Sequence, residues 1–197
     1  MNARFHILNN ERKTIDELVG FSRGVLADGI VNDAEAHAFR AWIDSLPRDR
    51  LCWPFDEIKR RLERIFSDGI IADDERAELA DIMRQLGGVS EETERNGSTS
   101  LPLDVPWPLV NPRAAFCATG RFAFGPRREV FAEIERRGGQ VHESPKLETG
   151  FLIIGTFSSP DWAYTTYGRK IEQAVALRER GCPLKIIAEE HWLNARL

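Results

Sequence analysis

Apolar residues recur at helical spacing through residues 10–88. Ile15, Leu18, Val19, Val25 and Leu26 form one set, and Phe39, Trp42 and Ile43 a second. Ile58, Leu62, Ile65 and Phe66 form a third, and Leu79, Ile82, Met83 and Leu86 a fourth. Steps of three and four residues lay one apolar stripe along each helix, so this part predicts a small helical bundle. Beyond residue 113 the pattern changes to short continuous apolar runs at 114–119, 151–154 and 184–187, with a shorter stretch at 140–142. Amphipathic helical stretches follow at about 126–137 and 167–179, and from Glu189 onward. Strand and helix alternate, which predicts a small all-parallel sheet with helices on both faces. Pro126 suits a first helical turn, where its missing N–H would be unpaired anyway. Gly138-Gly139 suits the end of that helix and the turn into the next strand.

The two patterns meet in a break. Gly87-Gly88 ends a helical run, and residues 90–111 are rich in Glu, Ser, Thr, Asn, Gly and Pro. Pro102, Pro106, Pro108 and Pro112 exclude a continuous helix, so 89–112 reads as a linker between domains 1–88 and 113–197. Trp107 and Leu109 are too apolar for a free tether, and the end of the linker is expected to pack on a domain.

The helical part repeats itself at a spacing of 40 residues: Leu26-Ala27-Asp28-Gly29-Ile30-Val31-Asn32-Asp33-Ala34-Glu35 matches Phe66-Ser67-Asp68-Gly69-Ile70-Ile71-Ala72-Asp73-Asp74-Glu75. Two stacked helix–turn–helix units follow from this. A calcium loop would need oxygen ligands at positions 1, 3 and 5, Gly at 6 and Glu at 12. With Gly29 or Gly69 at position 6, the first two ligand positions fall on Gly24 and Leu26, or on Arg64 and Phe66. Two carboxylates are missing from each copy, so no bound metal is expected. Asp-Gly instead closes one helix, and Asn32, Asp33 or Asp73 caps the next. Over about residues 10–88 this Asp-Gly…Glu repeat is similar to the helical domains of the TerB tellurite-resistance type.

Composition narrows the class. The chain has 197 residues, 42% hydrophobic and 29% charged, as in ordinary folded proteins. It contains no apolar run of about 18 residues, and its first residues lack the apolar core of a signal peptide. Cys52, Cys117 and Cys182 are odd in number and far apart, which points to reduced thiols and a cytoplasmic setting. The net charge of -4 is uneven. Residues 1–90 hold 13 Lys and Arg against 17 Asp and Glu, while 113–197 hold 13 against 10. Only the C-terminal part has the charge to approach a phosphate-bearing ligand.

The C-terminal landmarks form a recognisable series: Thr119-Gly120 after the first apolar run, Gly138-Gly139, a Lys-led helix at Lys170, and a late Trp192. In that order they resemble a BRCT domain, similar to the module of bacterial NAD-dependent DNA ligases. The resemblance covers 113–197 and implies a four-stranded parallel sheet in the order 2-1-3-4. It implies that Thr119, Gly120 and Lys170 match the residues that hold one phosphate in phosphate-binding members. A hydroxyl, a backbone N–H and an ammonium can converge on an anion near a helix N-terminus. Arg121, Arg127 and Arg128 lie in the adjoining loop and first helical turn and would add charge. Each residue also has a structural reading: Thr-Gly ending a strand, Lys170 solvated, the arginines on an exposed face.

The chain departs from the ligase module in a longer second helix and in the aromatic approach to it at 158–167. A single copy weakens a phosphopeptide role and leaves DNA or a protein partner ahead. No phosphate loop, dinucleotide fingerprint, adenylation motif or nucleophile elbow occurs. His191 beside Glu189 and Glu190 would stand at a surface edge in such a domain, not in a catalytic site. The expectation is a non-catalytic adaptor without cofactor, binding DNA, with a 5′-phosphate end as a candidate target, or acting purely as a protein–protein scaffold.

Overall fold

The computed structural model of the chain describes residues 17, 20–26, 30–47, 53–87, 101–157 and 168–195. The Asp28-Gly29 turn, the first part of the expected linker and the aromatic segment 158–167 lie outside them. The chain divides into two compact units, Met1–Glu94 and Arg95–Leu197.

In the first unit three helices are bounded: α1 (Asp33–Asp44), α2 (Phe55–Ile65) and α3 (Asp73–Gly87). Their stripes bury Ala36, Phe39 and Ile43 on α1, Ile58, Leu62 and Ile65 on α2, and Leu79, Ile82 and Met83 on α3. Burial of such side chains supplies about 1.5–3 kcal/mol each and holds the bundle together. Asn32 begins α1 through a reciprocal capping box: its side chain accepts from Glu35 N at 3.0 Å, and Glu35 accepts from Asn32 N at 2.9 Å. The second copy is capped differently from the expectation. Asp73 is already the first helical residue, and Glu75 accepts from Ala72 N at 2.9 Å. Ala72 has no side-chain oxygen to return the bond, so half of the box remains. Asp68 accepts from Ile70 N at 3.0 Å across the turn in which Gly69 takes a φ of 79°. Arg61, fully buried on α2, and Arg64 both reach Glu78 of α3, at 3.0 and 2.7 Å.

The second unit is built on a four-stranded parallel sheet in the order β2-β1-β3-β4. In chain order it runs β1 (Ala115–Thr119), α4 (Arg127–Arg136), β2 (Gln140–His142), β3 (Phe151–Ile154), α5 (Gly168–Glu179), β4 (Lys185–Ala188) and α6 (Glu189–Asn194). Successive strand side chains alternate between faces. Phe116, Ala118, Phe151, Ile153 and Ile187 therefore join Val130 and Ile134 of α4 and Trp192 of α6 in one core. Cys117, Leu152, Ile154 and Ile186 join Ile171 and Ala174 of α5 in the other. The last strand begins one residue later than its apolar run, at Lys185, whose N–H meets Gly150 O at 2.9 Å. Helix α4 ends in a Schellman turn: Gly138 N bonds Glu135 O and Gly139 N bonds Ile134 O, both at 2.9 Å, with Gly138 at a φ of 86°.

Residues 101–112 belong to this unit and do not act as a tether. Leu101 and Leu103 pack against the α5-side core, and Val110 lies inside the other. Asp104 N donates to Ile186 O at 2.8 Å, while its carboxylate accepts from Ile186 N at 2.7 Å and meets Arg178 at 3.2 Å. One residue thus occupies the outer hydrogen-bonding edge of β4, which would otherwise invite pairing with another chain. The apolar residues of the segment divide unexpectedly. Trp107 lies 4.6 Å from the His191 ring, centroid to centroid, whereas Leu109 is 96% exposed.

Candidate functional site

The C-terminal end of β1 is where the structure gathers the candidate residues. Parallel strands all point their C-terminal ends to one edge, and the loops that follow them meet there. Lys170, in the first turn of α5, extends its Nζ to 3.5 Å from Ala118 O. That carbonyl shares a peptide with the Thr119 N–H, so the ammonium stands beside Thr119. Arg127 opens α4 after Pro126, which supplies no side-chain cap, and Arg127 and Arg128 are exposed at the positive end of that helix. Cys117, inside β1, senses both cations. Burial pushes its thiol up, against the opposing pull of the Lys170 and Arg127 charges.

Thr119 itself is fully buried, and its hydroxyl faces protein and not solvent. Gly120 follows at a φ of 92°, a left-handed conformation that suits glycine, and Arg121 is exposed in the next loop. The loop is pinned from the β3 side: Gly155 N bonds Thr119 O and Phe157 N bonds Arg121 O, both at 3.0 Å. A Cβ at Gly155 would overlap the Arg121 backbone, so only glycine allows this approach. Lys170 is therefore brought beside Thr119, and Arg127 stands exposed at the start of α4. Thr119 is not presented to an incoming ligand.

Glu189 corrects the expectation of a surface edge. It is fully buried at the start of α6, and one carboxylate gathers both loops. Oε1 accepts from Phe124 N at 2.7 Å; Oε2 accepts from Ala123 N at 3.0 Å, Thr156 N at 2.9 Å and Thr156 Oγ1 at 2.8 Å. Burial raises its carboxyl above the ordinary range, and the four donors pull the other way. Nothing local in the sequence marks this role, because the partners lie 33 and 65–66 residues away. His191, two residues on, bonds Pro108 O at 2.6 Å and faces Trp107, so it anchors the incoming segment. Trp192 is buried. Arg137 stacks over its ring at 5.1 Å and donates to its carbonyl at 3.1 Å.

Among the described residues no three His, Cys, Asp or Glu side chains are grouped as a metal site. A small cavity between Val110, Phe116, Ile134 and Trp192 has about 10 Å³, room for a water at most. No described helix is long and apolar enough to cross a membrane. No protein-family model and no curated protein matches the chain.

Proposed function

We propose that residues 113–197 are a BRCT-like binding module, and that the chain is a non-catalytic adaptor in DNA maintenance. The module engages DNA at a 5′-phosphate end, with Lys170 as the principal cation, Thr119 and Gly120 beside it, and Arg121 and Arg127 flanking. The helical unit, TerB-like in its repeat, serves a cytoplasmic protein partner. The observation that carries the DNA reading is the Lys170 ammonium at the C-terminal end of β1, 3.5 Å from Ala118 O, with Arg127 exposed at the start of α4. Two cations near a helix N-terminus at the loop edge of a parallel sheet make a favourable place for a phosphate.

The alternative is a protein–protein scaffold without phosphate recognition. Full burial of Thr119 favours it, as does the use of Lys170 on a backbone carbonyl. Lys170→Ala separates the two. On the DNA reading it weakens binding to a 5′-phosphorylated recessed duplex by about tenfold and lowers the salt slope by about one. An unchanged slope in a fluorescence-anisotropy titration supports the scaffold.

A further inference from the structure

The helical unit carries a second, independent surface. In each copy of the repeat an isoleucine follows Asp-Gly, and both are turned outward: Ile30 is 65% exposed and Ile70 71%. The next residue in each copy turns inward, with Val31 buried and Ile71 partly buried. Arg76 of α3 links the two copies at these inward-turned residues. Its guanidinium bonds Val31 O at 2.9 Å, Asp33 Oδ1 at 2.6 Å and Ile71 O at 3.5 Å. Both bonded carbonyls come directly after the exposed isoleucines, so Arg76 joins the two stretches that carry Ile30 and Ile70. Single exposed aliphatic residues are ordinary. An aliphatic pair, placed by an internal repeat on two stretches joined by one arginine, is not accounted for by the fold.

The surroundings select the occupant. Residues 30–39 and 65–75 contain no Lys or Arg. Asp33, Asp68, Asp73 and Asp74, in these two stretches, are all exposed. Arg76 pairs with Asp33 and bonds the two carbonyls, and Arg40 lies over the Phe66 ring and reaches Asp44. A second copy of the same surface would bring like charges together, which opposes self-pairing. We propose that Ile30 and Ile70, with this acidic rim, are the docking surface for a basic amphipathic helix of a partner protein. Aliphatic side chains of that helix cover the isoleucine pair, and its Lys or Arg residues meet the rim.

The test uses the full chain and a fluorescent helical peptide of Leu and Lys at amphipathic spacing, with a Leu and Glu peptide of the same pattern as the control. The Leu–Lys peptide is expected to bind saturably and the Leu–Glu peptide not at all. Ile30→Ser with Ile70→Ser should weaken binding by about tenfold or more. Both side chains are exposed, so the helical circular-dichroism signal should be retained. Asp73→Asn with Asp74→Asn should weaken binding at low salt and matter less at high salt. No binding by the Leu–Lys peptide overturns the proposal. Equal binding by the double serine variant also overturns it, by reducing the contact to charge alone. Self-association of the wild type that the serine variant abolishes would give the surface to a second copy.

Discussion

Glu189 shows how much one side chain organises at the residue scale. Its four accepted bonds tie the loop after β1 and the loop after β3 to the start of α6. It carries out in the interior what an N-cap does at a surface. Replacing it with Gln exchanges one accepting oxygen for an NH2 group that faces donors. We expect Glu189→Gln to cost about 1–3 kcal/mol, the usual penalty of leaving a buried polar group unsatisfied. Urea unfolding of both forms checks this, and an unchanged midpoint would remove the clamp from the account. Glu189 was not legible in advance because every partner is distant in sequence, and an acidic residue opening a helix has an ordinary surface explanation. The Asn32–Glu35 box was legible for the opposite reason: both bonds join residues three apart.

Local chemistry fixed most elements, and contacts across the fold decided what lay at their edges. The bounds of β2 and β3 coincide with their sequence patterns, since each strand is a short apolar or half-apolar run between turn residues. The Schellman turn at Gly138-Gly139 was equally readable. The segment 101–112 was readable only at its end, where Trp107 argued for packing; its prolines signal a linker, while its role depends on Asp104 meeting the β4 backbone 82 residues away. Helix α4 offers a test by pH. Glu133 bonds Arg136 and Arg137, and Arg137 in turn holds the Trp192 carbonyl of α6. The Arg136 bond is the largest of the influences that hold the Glu133 carboxyl at about 2, against an ordinary 4.5. The unfolded chain therefore takes up this proton before the folded one does. The stabilisation is complete above about 4.5 and is lost as pH falls through about 2. Glu133→Gln is expected to flatten that part of the acid limb in urea midpoints measured against pH. A limb of unchanged slope would mean that the ion pairs are screened out.

At the scale of the whole molecule, the charge asymmetry gives the two units different kinds of partner. The acidic helical unit presents an aliphatic pair within an acidic rim, suited to a basic protein segment. The C-terminal unit carries the chain's excess of positive charge and brings Lys170 to the C-terminal end of β1. The sheet order expected from the resemblance is the observed order, and the resemblance also nominated Lys170 and Thr119, which do lie together. It did not anticipate that Thr119 would be buried, because a Thr-Gly pair reads the same whether its hydroxyl faces solvent or core.

The decisive measurement is the affinity of the intact wild-type chain for a recessed DNA duplex with and without its 5′-phosphate, by fluorescence anisotropy at low and moderate salt. The account predicts about tenfold tighter binding to the phosphorylated end, with affinity falling steeply as salt rises. Equal, salt-insensitive affinity for the two ends would contradict it and leave the C-terminal unit as a protein-binding scaffold.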